Sequence, residues 1–134
     1  MAVHRSDLVA SVLLVGVALV GFALWGDLPP EMAIHFDVSG TPDNYVPKPV
    51  ALLLTPAIGL SAVAFSRYAI GADPSADPLV GAAAVYFVGG VVAYVHALVL
   101  AYNLGYGFSI WVALVPVFVA SAGLVVWAVS RERF

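Results

Sequence analysis

The chain has 134 residues, of which 63% are hydrophobic and 10% charged. Soluble domains carry about one quarter charged residues, so with a mean hydropathy of +1.03 the solvent that fits this chain is a lipid bilayer. A net charge of −3 without a basic run leaves no electrostatic footprint for nucleic acid, and the lack of cysteine excludes disulfides, thiol catalysis and cysteine metal sites.

In chain order, hydropathy predicts four membrane-spanning helices over about residues 8–26, 49–70, 79–102 and 108–130. The first run ends in Leu24-Trp25-Gly26-Asp27, poor chemistry for signal cleavage, so an uncleaved helix is expected with Trp25 at the interface. The second opens on Pro47, Lys48 and Pro49, where a missing N–H costs little, and Pro56 is expected to bend it. Two Asp-Pro pairs make a turn before the third. Within that third run Gly89, Ala93, Ala97 and Ala101 recur every fourth residue, a small-residue stripe that lets membrane helices approach closely. The fourth run contains Pro116. The fold class expected is thus an all-α membrane protein, a single domain built as an up-down bundle of four helices.

Four spans place both termini on one side. The positive-inside rule then puts Arg5, Arg67, Arg131 and Arg133 in the cytoplasm and leaves only Lys48 outside. This predicts a multi-pass protein of the cell membrane with cytoplasmic termini and an extracytoplasmic loop over residues 27–48. The chain's polar character is concentrated in that loop. Met32, Ile34, Phe36 and Val38 alternate with Ala33, His35 and Asp37, which predicts a short extended segment. The apolar set is expected to face the helix tops, with His35 and Asp37 together on the other side. Ser39-Gly40 and Thr41-Pro42-Asp43-Asn44 are turn formers that bring the chain back to Tyr45 and Lys48.

These residues carry a resemblance. Leu28-Pro29, Ile34-His35-Phe36-Asp37, Gly40, Pro42-Asp43, Tyr45 and Lys48, followed by an apolar helix containing Pro56, resemble the SdpI-type family of membrane proteins. More narrowly, they resemble its domain of unknown function joining the first two helices. The resemblance covers roughly residues 25–56. It implies immunity to a secreted toxin peptide, coupled to membrane signalling.

Two groups of residues are candidates for chemistry. In the loop, His35, Asp37 and Asp43, with Glu31, offer imidazole and carboxylate to a divalent metal; the alternative is a solvated loop in which Asp43 holds a turn and His35 packs on an aromatic ring. Lys48 is expected to pair with Asp43 or Glu31, or to meet lipid headgroups. Inside the third run, His96 lies near the small-residue stripe, and intramembrane ionisable residues are functional candidates by default. Its alternative is a neutral ring hydrogen-bonded to a neighbouring helix. Asn103 adds a second polar group in the same run. No catalytic triad, P-loop, HExxH or dinucleotide fingerprint is present in the sequence.

The reading favoured is therefore a non-enzymatic membrane protein without a cofactor, whose loop (His35, Asp37, Asp43, Tyr45, Lys48) binds or senses a secreted peptide, a lipid or a membrane partner, with self-association suggested by the small-residue stripe. A small oligomeric transporter or channel subunit, with a polar path past His96 and Asn103, is the alternative. A metal-dependent membrane enzyme is the third.

Overall fold

The structure, a computed structural model, describes residues 4–133; the side chain of Arg133, counted above among the inward charges, lies outside the described residues, as does Phe134. The elements are α1 (Arg5–Ala23), a 3-10 turn (Trp25–Asp27), β1 (Glu31–Phe36), β2 (Pro42–Pro47), α2 (Lys48–Ala72), α3 (Pro78–Asn103) and α4 (Ile110–Arg133). All four α-helices are long and apolar enough to cross a membrane. The expected all-α, four-span architecture is present, within a few residues of the expected bounds.

The region between α1 and α2 holds the expected extended segment and turn, and adds a second strand. β1 and β2 form a two-stranded antiparallel sheet. The second strand was hidden from sequence reading because Pro42 and Pro47 bracket it, and proline argues against a strand interior. Here both prolines stand at strand ends. Pro47 also caps α2, and Pro49 falls in its first turn, where no intrahelical partner for an N–H exists.

Helices α1, α2 and α3 form the packed body, and its apolar core has two parts. At the hairpin end, Leu28, Met32, Ala51, Leu52, Val99 and Leu100 cluster together. Toward the termini, Ala10, Leu14, Val63, Val85 and Ala93 form the second cluster. Close approach of α1 to α3 depends on Gly89. A Cβ there would stand 2.6 Å from the Ala10 Cβ and 3.1 Å from its Cα, closer than packed atoms tolerate. The small-residue stripe is therefore correct at Gly89 and Ala93. Beyond them the buried face of α3 turns to His96 and Leu100, while Ala97 is exposed. The reason is helical geometry: 3.6 residues per turn make a strict four-residue repeat drift off the contact line, and one three-residue step restores it. His96 thus lies on the contact face rather than beside it.

Helix α4 lies along α3, and among its described residues only Ile110 is buried. Its ties to the body are directional. The Tyr94 hydroxyl donates to the Ala113 carbonyl at 2.6 Å. Arg131 Nε donates to Asp77 Oδ2 at 2.8 Å, and its guanidinium lies over the Trp127 ring. Asp77 also caps α3 by accepting from the Leu79 N–H at 2.9 Å. The Arg131 hydrogen bond, together with that backbone N–H, holds the Asp77 carboxyl below its ordinary pKa.

Candidate functional site

The hairpin covers the helix ends opposite the termini, and one side chain seats it there. Asn103, the last residue of α3, accepts from the Ala33 N–H through Oδ1 at 2.8 Å and donates to the Ala33 carbonyl through Nδ2 at 2.9 Å. A further Nδ2 contact of 2.8 Å reaches the Val99 carbonyl. The carboxamide thereby stands in for a third strand at Ala33, satisfying that residue's N–H and C=O. An exposed strand edge is thus closed where it meets the helices. Beneath it Met32 and Ala33 are almost fully buried.

The strand register runs Glu31 opposite Pro47, Met32 opposite Val46 and Ala33 opposite Tyr45, then breaks at two irregularities before Phe36 pairs with Pro42. These bulges end the regular alternation, which changes where the predicted side chains go. Val38, expected with the apolar set, is 92% exposed. Asp37 does not join His35. It lies past the end of β1 and organises the turn, its Oδ1 accepting from the Ser39 N–H (2.9 Å), the Ser39 hydroxyl (2.6 Å) and the Thr41 N–H (3.0 Å). The Ser39 hydroxyl, then the Thr41 N–H, hold the Asp37 pKa below its ordinary 3.8. Gly40 completes the turn at φ 84°, a conformation that a side chain would strain.

His35 instead meets Asp43 from the opposite strand. Its Nδ1–H donates to Asp43 Oδ1 at 2.6 Å, and both side chains are exposed. A carboxylate has only acceptors, so Nδ1 carries the proton in this contact. Tyr45 is 57% exposed on the same strand. Lys48 pairs with neither expected carboxylate. Its ammonium donates to the Trp25 carbonyl at 2.7 Å and stands 4.6 Å from the Trp25 ring centroid. It therefore ties the start of α2 to the 3-10 turn after α1 and closes the base of the hairpin.

Aromatic residues from the α3–α4 side complete the mount. Phe36 meets Tyr102 edge-on at 4.9 Å, and Tyr102 meets Phe108 at 6.2 Å. Trp111 on α4 donates from Nε1 to the Val38 carbonyl at 2.9 Å. Trp111 lies in an apolar run, and no local signal in the sequence links it to a residue 73 positions earlier. The seating role of Asn103 was equally invisible, although its position in an apolar run marked it for notice.

His96 is separate from this surface. It is fully buried between the two apolar clusters, and neither ring nitrogen has a hydrogen-bond partner. Its Nε2 lies 3.6 Å from where a Cβ on Gly21 would stand, beside Leu52 and Leu100. The expected hydrogen bond to a neighbouring helix is not made. Asn103 is committed to the hairpin backbone, so the two polar residues of α3 do not form a continuous polar path. Among the described residues, no three His, Cys, Asp or Glu side chains come together as a metal-binding group.

Residues 12–60, running from within α1 through the hairpin into α2, match the family described as "Domain of unknown function (DUF1648)". The match covers well under half of the chain and contains the hairpin with the adjoining parts of both flanking helices. No curated protein and no solved structure is significantly similar to the chain.

Proposed function

We propose that this multi-pass membrane protein displays its hairpin outside the cytoplasm of the cell membrane, as a recognition surface for a membrane-active peptide. The role resembles SdpI-type immunity and is not enzymatic. One observation carries the reading: the hairpin is fastened on its inner side by Asn103, Lys48 and Trp111, while His35, Asp43, Tyr45 and Val38 remain exposed on the outer side. A surface held rigidly in its binding shape loses less entropy when it binds. The orientation follows from charge. Arg67 bonds to Asp7 and Arg131 bonds to Asp77, so these arginines share the end of the bundle that carries the termini. Lys48 is the basic residue at the hairpin end, as the positive-inside rule requires for an external hairpin.

The test is a cell strain lacking the protein, challenged with conditioned medium from its own species while entry of a membrane-impermeant dye is recorded. Dye is expected to enter more readily without the protein. Wild-type protein should restore resistance, and a Tyr45→Ala/Asp43→Ala variant inserted to the same level should not. Equal dye entry with and without the protein overturns the reading.

A further inference from the structure

At the end of the bundle away from the hairpin, a groove of about 720 Å³ runs between the start of α1 and the end of α2. This lies within the roughly 300–1,000 Å³ typical of small-molecule sites. Its character changes along the helix axis. Leu60, Val63 and Ala64 line the end nearer the bundle centre, and His4, Asp7, Arg67 and Tyr68 line the end nearer the termini. The α2 wall from Leu60 to Ala72 rises about 18 Å at 1.5 Å per residue, close to the roughly 15 Å of one hydrocarbon leaflet plus part of its interface. An amphiphile of leaflet length matches both the gradient and the reach.

The polar end has a defined charge arrangement. Arg67 Nε contacts both Asp7 oxygens, at 2.9 and 3.1 Å. Its Nη2 donates to Asp7 Oδ1 at 2.9 Å and to the buried Ser6 hydroxyl at 3.2 Å. Among the described residues Nη1 makes no hydrogen bond, so one edge of the guanidinium is available. Asp7 Oδ2 accepts a single hydrogen bond here, and a carboxylate oxygen has room for another. Both side chains retain about a fifth of their exposure. A fixed cation beside a fixed anion is complementary to a headgroup carrying the opposite pair.

We propose that this groove binds one phospholipid with a phosphoethanolamine headgroup in the leaflet on the termini side. The lipid phosphate accepts from Arg67 Nη1, the lipid ammonium donates to Asp7, and one acyl chain lies along Leu60, Val63 and Ala64. A choline headgroup has no N–H to donate to Asp7, and a glycerol headgroup brings no cation. The site therefore discriminates among lipids that all carry the same phosphate.

The whole protein is reconstituted into nanodiscs of equal parts phosphatidylethanolamine, phosphatidylcholine and phosphatidylglycerol, and the lipids retained after release are identified by native mass spectrometry. Phosphatidylethanolamine is expected to be retained preferentially. Asp7→Asn should reduce that preference by about tenfold, the usual scale of one hydrogen bond to a charged group, whereas Arg67→Gln, which removes the contact to the shared phosphate, should lower retention of all three lipids. Ala64→Trp, which fills the groove and leaves the ion pair intact, should displace the lipid; Val119→Trp on the exposed side of α4 should not. If the charge variants fail to fold, Ala64→Trp decides. Retention of phosphatidylethanolamine by Ala64→Trp at the wild-type level, equal retention of all three lipids, or displacement by inorganic phosphate alone overturns the proposal.

Discussion

Asn103 and His96 stand two helical turns apart on α3, and they occupy opposite situations. Asn103 lies under the hairpin and makes three hydrogen bonds, two of them to one residue of β1. His96 lies in the layer below, walled by Gly21, Leu52 and Leu100, and makes none. Both are polar side chains in an apolar helix. What separates them is the supply of partners. The hairpin brings an irregular backbone whose N–H and C=O groups need bonding, whereas the helices around His96 have already bonded their own. Polar residues in this bundle are therefore stabilising where non-helical backbone meets the helices and costly in the layer beneath.

The largest test of that contrast is Asn103→Ala. It leaves the N–H and carbonyl of the buried Ala33 without partners, and each such group costs about 1–3 kcal/mol. The variant is expected to be destabilised by about 2–5 kcal/mol, read from denaturant unfolding in detergent, with fast hydrogen exchange at the Ala33 amide while the α1–α3 amides remain protected. Unchanged protection at Ala33 would show that the hairpin is seated by other contacts. His96→Leu is expected to act in the opposite direction. Removing an unpartnered polar ring and filling its place with hydrocarbon should stabilise the fold by about 1 kcal/mol. A loss of stability in the same unfolding measurement would mean that the ring has a partner in the membrane.

The smallest expected effect is on pH and is confined to the turn of the hairpin. The folded pKa of Asp37 lies below its ordinary value of 3.8, through the Ser39 hydroxyl and the Thr41 N–H. Its stabilising contribution is therefore complete above that ordinary value and disappears as pH falls through the folded one. Amide resonances of Ser39 and Thr41 should move in that acid range in the wild type and stay fixed in Asp37→Ala, while the signals of Ala33 and Asn103 do not respond. Movement of the Ala33 signal in step with Ser39 would show that turn and seat open as one unit.

The two regions also differ in how far they were legible from sequence. The turn was readable because its chemistry is local: Asp37, Ser39, Gly40 and Thr41 interact within four residues. The grouping of His35 with Asp37 failed because alternation assumes an unbroken strand. Two register irregularities and an early end to β1 sent Asp37 to the turn and left His35 to find Asp43. In the helical body, the Arg67–Asp7 pair leaves no local signal, since its members are 60 residues apart.

Local patterns alone were sufficient to establish the four spans, the place of a turn-bearing polar loop between the first two, and the small residues at Gly89 and Ala93. Hydrophobic length and turn chemistry act within a few residues, so they can be read along the chain. The tertiary structure alone decided that Asn103 completes a strand, that His96 lies on the contact face of α3, and that α4 remains beside a three-helix body. A helix in a bilayer is apolar on every side, because lipid and protein interior offer nearly the same solvent. Hydrophobicity then carries no mark of which face turns inward, and the choice falls to close packing and to hydrogen bonds between residues distant in the chain.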